Sequence, residues 1–166
     1  MVGDVTQRYS GGFMGKRYLS DSTVQREAEE IIFENLKSKL KCDDLQSNVR
    51  ILISKANNIW ICPDFYSEGK HIIGEIHTHL GKLKSAQLHK IEGDILKMLL
   101  FEKCHNGKRY RKMIVVCDIE EYNQLMGNSF VAEAIRQFDI ELYYVSLEQT
   151  QINKIQQAMQ EQNFYH

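Results

Sequence analysis

The sequence predicts an α/β fold, a mixed sheet flanked by helices, and three observations lead there. Two long segments, 23–40 and 85–102, repeat apolar residues at helical spacing. Five short apolar runs, at 49–54, 59–64, 71–79, 112–118 and 140–145, have the length and composition of strands. The full order reads αβββαβαβα, with no internal repeat and no domain linker.

Each element has a local reason. Residues 1–20 contain glycine and show no period, with Tyr9, Phe13 and Tyr18 spaced among Arg8, Lys16 and Arg17. They are expected to form an N-terminal arm on a single domain at 21–166. Asp21 or Ser22 suits the cap of a helix beginning at Thr23, whose Val24, Ala28, Ile31, Ile32, Leu36 and Leu40 share one side. Asn57 and Asn58 predict a tight turn between the first two strands. Ser67, Glu68, Gly69 and Lys70 turn the second strand back on the third. The helix at 85–102 carries Leu88, Ile91, Ile95, Met98 and Leu99 on its apolar side. The unbroken apolar run from Met113 to Cys117 reads as a buried strand. A helical stretch at 120–138 is expected to break near Gly127 and Asn128. After the strand at 140–145, a Gln-rich helix starts at Glu148 with Ile152, Ile155 and Met159 as its apolar stripe.

A chain of 166 residues with 43% hydrophobic content supports one domain with a proper core. The formal net charge of −1 excludes a globally basic nucleic-acid binder, so any such binding must rest on local patches. Cys42, Cys62, Cys104 and Cys117 form no Cys-x-x-Cys pair and read as reduced structural thiols, two of them in buried strands. With no long apolar stretch near its start and no segment able to span a bilayer, the protein is expected to be cytoplasmic and without a membrane partner. Trp60 alternates with the inward residues of its strand and is expected in the core.

Asp64 and Glu75 are the candidate chemistry. Asp64 closes the apolar run Ile59, Trp60, Ile61, Cys62, Pro63, and Glu75 sits inside the run at 71–79. A hairpin would set the Asp, at the exit of one strand, beside the Glu in the middle of the next. Two carboxylates in an apolar frame repel unless a cation lies between them. Oxygen ligands so arranged suit Mg²⁺ or Mn²⁺, ions used in phosphodiester chemistry.

With Pro63 and Asp64 at the end of the second strand and Glu75 in the third, the chain resembles the PD-(D/E)XK nuclease superfamily over about residues 22–146. The resemblance implies a restriction-endonuclease-like αβββαβ core, here with an added αβ unit and a C-terminal helix. It implies that Asp64 is the metal-bridging ligand, that Glu75 is the second acid, and that the backbone carbonyl of Ile76 completes the metal's shell. Family members often add a Glu from the first helix. Glu29 is the candidate, since it shares the arc of Ile32, Leu36 and Leu40; it either meets a partner or metal there, or reaches solvent from the stripe's edge. The family's Lys, two residues after the acid, is replaced by His77, which can accept a proton but lacks a permanent charge. In some members the Lys has moved to the following helix, which makes Lys82, Lys84 and Lys90 candidates. Lys90 is preferred because Gln87, Lys90, Asp94 and Lys97 form one polar flank, where the family often places a Gln or Lys facing the site. Lys82, Lys84 and Gln87 would then contact substrate.

His77 and His79 point to one side of a strand, so the run around them also resembles the His-Ser/Thr-His-Pro signature of JAMM-type zinc isopeptidases. Here Leu80 replaces the Pro and no Asp follows Ser85 until Asp94. Lys103, Lys108, Arg109, Arg111 and Lys112, around His105, Asn106 and Gly107, read either as a phosphate-binding loop or as a charged surface turn. The leading expectation is a Mg²⁺- or Mn²⁺-dependent nuclease acting on nucleic acid, on DNA in preference to RNA, with either limited intrinsic specificity or specificity borrowed from a homodimer or a partner protein. The alternatives are a zinc hydrolase using His77 and His79, and a catalytically degenerate nuclease fold that serves as a binding module.

Overall fold

The run Ile72, Ile73, Gly74, Glu75, Ile76, His77 is buried along its whole length, which a strand achieves only when both faces of its sheet are covered. In the computed structural model, which describes residues 15–163 and side chains over 23–161, this run is the central strand of a mixed five-stranded sheet. The elements, in chain order, are α1 (Gly15–Leu40), β1 (Gln46–Ser47), β2 (Ile51–Ser54), β3 (Ile59–Ile61), β4 (Phe65–Ser67), β5 (Ile72–His77), α2 (Ser85–Cys104), β6 (Arg111–Val116), α3 (Ile119–Leu125), α4 (Phe130–Gln137), β7 (Ile140–Tyr144) and α5 (Gln149–Asn163). The sheet order is β1-β4-β5-β6-β7. β4 runs antiparallel to both β1 and β5, whereas β5, β6 and β7 are parallel.

Helices cover both faces. Ala28, Ile32 and Leu36 of α1 and Ile155 of α5 pack with Ile72, Ile76, Met113 and Val115 on one side. Ile91, Ile95 and Met98 of α2, Leu125 of α3 and Val131 and Ile135 of α4 pack with Ile73, Ile114 and Val116 on the other. Gly74 is where the first layer closes: a Cβ there would stand 2.1 Å from the Phe65 ring and 2.6 Å from the Met113 carbonyl oxygen. The expected break in the helical stretch at 120–138 separates α3 from α4, and the left-handed Asn58 (φ 52°) serves the expected turn. All four cysteines are free; Cys42 and Cys117 are buried.

Four expectations are corrected. α1 starts at Gly15, not Thr23, so Asp21 and Ser22 lie within the helix instead of capping it. No proline interrupts 16–22, and the chain's single Pro is Pro63. Of the expected arm, residues 1–14, with Arg8, Tyr9 and Phe13, lie outside the described residues, and 15–20 belong to α1. The strand expected at 59–64 is split. β3 pairs only with β2 in a separate two-stranded sheet, and β4 joins the main sheet. Pro63, which has no N–H to give a ladder, falls between them. Asp64 therefore precedes the strand of the central hairpin and does not close it. Finally, Trp60 is 41% exposed and Cys62 is exposed, because the β2–β3 hairpin has only its Ile51, Ile53 and Ile61 side against the core.

Candidate active site

The hairpin register decides how the two acids meet. Phe65 pairs with Gly74, so one step outward Asp64 comes beside Glu75, at the end of β4 where β5 runs on. The Asp64 carboxylate accepts a hydrogen bond from the backbone N–H of Ile76 at 2.7 Å. That contact fixes the acid against β5. Asp64 and Ile76 line a cavity of about 560 Å³ together with Arg26, Glu29 and Phe33 of α1 and Asn48. Glu29 is half-buried there. Burial raises its pKa above the usual carboxylate range, the Asp64 charge adds to the rise, and Lys90 and Arg26 partly oppose it.

Glu75 faces the other side of the sheet, toward α2, and is only 3% exposed. Its Oε1 accepts a hydrogen bond from the Lys97 ammonium at 2.8 Å, and the same ammonium bonds Asp94 at 3.1 Å. His77, two residues further along β5, brings Nε2 to 3.2 Å from Asp94 Oδ2, although the two atoms lie off the line of a hydrogen bond. The four side chains make a chain, Glu75–Lys97–Asp94–His77, between β5 and α2, buried except at the half-buried Lys97. Burial, then the charges of Asp64 and Asp94, push the Glu75 carboxyl up to about 8, and Lys97 offsets only part of this. Burial works against the charge of Lys97, but its bonds to Glu75 and Asp94 outweigh that and raise its pKa. Burial would likewise raise Asp94, yet His77 and Lys97 hold it below the usual range.

The expected site residues divide accordingly. Asp64, Ile76 and Glu29 line one cavity between α1 and the hairpin, whereas Glu75 lies beside Asp64 in register, within reach of its charge, but faces α2. His77 sits beside Glu75 but is directed at Asp94. Lys90 is exposed on α2, and its charge reaches Glu29 and also Glu121 of α3. Lys82 and Lys84 are exposed at the approach to α2. The side-chain oxygen of Gln87 accepts from the Lys84 N–H at 3.0 Å, so it caps the helix start. The residues that the sequence did not single out are Lys97 and Asp94. Both belong to the polar flank noted for α2; Lys97 lies seven residues beyond Lys90, about 10 Å along the axis. Which Lys on that flank meets Glu75 depends on where the helix crosses β5, and no local spacing encodes that.

His79 lies past the end of β5 and is half-buried, which lowers its pKa. Among the described residues, no three His, Cys, Asp or Glu side chains are gathered as a ready-made metal cage. The basic cluster lies at the opposite end of β5 and β6 from Glu75. Three of its members are neutralised, Lys108 by Glu68, Arg111 by Glu141 and Lys112 by Glu102, as in a charged surface turn. No helix among the described residues is long and apolar enough to cross a membrane. Compared with protein-family models, with curated proteins and with solved structures, the chain gives no match.

Proposed function

We propose that the protein is a metal-dependent nuclease of the PD-(D/E)XK type, hydrolysing phosphodiester bonds with a preference for DNA. The observation that carries this reading is the hairpin register, which sets Asp64 beside Glu75 while Asp64 also lines a cavity with Glu29 of α1, so that the Asp64 charge adds to the raised proton affinity of both glutamates. Such a group of oxygen donors suits a hard divalent cation. Asp64, Glu75, the Ile76 carbonyl and Glu29 would hold Mg²⁺ or Mn²⁺. A bound ion of this kind would activate a water and offset charge on the phosphate.

The element order supports the reading as well. α1, β1, β4, β5, α2 and β6 follow the αβββαβ sequence of a restriction-endonuclease-like core, with the β2–β3 hairpin inserted between the first two core strands. β7 with α3 and α4, and then α5, are additions.

Lys97 answers the replacement of the motif Lys by His77. Its ammonium touches Glu75, as a strand Lys two residues on would, and Asp94 holds it there. Lys97 supplies the permanent positive charge that an imidazole lacks. His77, held against Asp94, is left as a structural neighbour of that ammonium.

The test is incubation of supercoiled, linear and single-stranded DNA, and of RNA, with Mn²⁺. The expected result is cleavage of DNA by the wild type and none by Glu75→Ala. Binding of DNA without cleavage by the wild type would support the degenerate binding module. Cleavage unaffected by Glu75→Ala would overturn the site.

A further inference from the structure

We infer that the outer face of the β2–β3 hairpin, formed by Trp60 with Arg50, is a stacking site for an unpaired nucleobase of the substrate strand. The inference rests on the nuclease reading and names a contact that the catalytic residues do not make.

Trp60 is the chain's only Trp, and it is 41% exposed, beside Ile59 at 46%. The ring is nevertheless held in place. Its Nε1–H donates to Asn58 Oδ1 at 2.9 Å, and the Arg50 guanidinium lies over it at 4.7 Å from the centroid. An exposed indole with a fixed orientation has already lost the rotamer freedom that ligand binding would otherwise cost. With Arg50 over one face, the ring's remaining surface carries its exposure. A flat, apolar, electron-rich surface beside a cation suits a base and its phosphate.

Charge favours the same occupant. Residues 49–62 contain Arg50 and Lys55 and no acid, in a chain whose formal net charge is −1. Three of the basic residues after α2, Lys108, Arg111 and Lys112, are spent on Glu68, Glu141 and Glu102, whereas Arg50 and Lys55, like Arg109, form no ion pair among the described residues. The hairpin is also continuous with the site. Asn48, two residues before Arg50, lines the Asp64 cavity, and its N–H donates to the Asp64 carbonyl at 3.1 Å. Trp60 precedes Asp64 by four residues, so the two lie within about 14 Å of each other along the chain. At ~3.4 Å per stacked nucleotide, a strand crossing the site would reach the indole within about four nucleotides.

Trp60 reports on its own occupancy. An oligothymidylate of about 16 nucleotides, added to the intact protein in EDTA so that nothing is cleaved, should quench the Trp60 fluorescence saturably. Heparin, which has charge but no bases, should bind without that quenching. By anisotropy of the labelled oligonucleotide, Trp60→Ala should weaken binding about tenfold or more and Trp60→Phe by less than about threefold. Arg50→Ala should lower the salt dependence of binding by about one unit of slope. Oligonucleotide binding without quenching, or binding indifferent to Trp60→Ala, would overturn the inference and leave the nuclease reading intact. A dimer that Trp60→Ala dissolves, with no quenching in the wild type, would assign the face to a second copy of the chain. Quenching by a wild type that cleaves no DNA would uphold the stacking site while the nuclease reading fails.

Discussion

Glu75 and Glu121 are both buried carboxyls with pKa values pushed up to about 8, and they reach that value by different routes. Glu75, in the middle of β5, is burdened by burial and by the charges of Asp64 and Asp94, and is relieved in part by an ammonium at 2.8 Å. Glu121, in α3, is 0% exposed, and burial dominates its shift, with Asp118 adding and Lys90 subtracting. Neither of its oxygens has a partner. A cation on Asp64 would offset the charge that raises both Glu75 and Glu29, whereas near neutral pH the burial of Glu121 is met by a single proton. The same proton affinity thus marks a charged cluster in one place and a desolvated acid in the other.

The largest expected effect separates the two acids directly. Glu75→Gln keeps the shape and removes the charge, and should lower DNA cleavage by about three to four orders of magnitude, the equivalent of several kcal/mol of lost charge stabilisation. Glu121→Gln should cleave like the wild type. Equal losses in the two variants, measured as initial rates with Mn²⁺, would break the comparison.

Next come the lysines of α2. Lys97→Ala removes the ammonium on Glu75, and turnover should fall by about two to four orders of magnitude, the usual range for a positioned proton-transfer or charge-stabilising group. Its folding cost is limited, because the deserted Glu75 can take up a proton in place of remaining a buried unpaired charge. Lys90→Ala should cost no more than about tenfold, since its charge acts on Glu29 from an exposed position where solvent screens it. The reverse ranking would return the role to Lys90.

That ranking also shows where the sequence stopped being readable. Strand and helix periods placed β5, α2 and β6 within a few residues, because each lies in a core that demands continuous apolar content. Asp64 and Glu75 were legible for the same reason: an acid in an apolar run is conspicuous. Lys97 was not, since four polar residues on one helix flank look alike until the crossing of helix and strand is known. Trp60 misled because alternation on a two-stranded hairpin says which residues share a face, and a hairpin apart from the main sheet leaves one face to solvent. Pro63 held the missing information, for a strand expected at 59–64 had to break there.

A moderate effect concerns the cation itself. At a hundredfold excess over its dissociation constant, Mg²⁺ or Mn²⁺ should stabilise the native state by about 2.7 kcal/mol, or roughly 5–10 °C in thermal midpoint for a chain of this size. Asp64→Ala should remove the shift and Glu121→Gln should keep it. Since the Glu75 carboxyl must lose its proton to bind, apparent affinity should rise about tenfold per pH unit on approach to pH 8 and level off above it. An affinity flat from pH 6 to 9 would place the ion away from Glu75.

The smallest effect isolates Glu121 and has a definite sign. Its folded pKa of about 8 stands above the ordinary 4.5, so between these values the native state binds a proton that the unfolded chain has released. Stability therefore falls as pH rises through that window, and the full cost is present above pH 8. Glu121→Gln is neutral at every pH. It should gain little below pH 4.5, then up to about 1.4 kcal/mol per pH unit, with a ceiling on the order of 5 kcal/mol. The realised gain should be smaller, because the new amide brings two N–H donors into a place where the carboxyl oxygens had no partners, at about 1–3 kcal/mol for a buried group left unsatisfied. Glu121→Met, of similar length and with no polar atoms to satisfy, should therefore be the more stable of the two at pH 8. Urea midpoints at pH 5 and pH 8 give the sign. A variant that is destabilised more at pH 8 than at pH 5 would mean that Glu121 is ionised and partnered in the native state, and the contrast with Glu75 would then disappear.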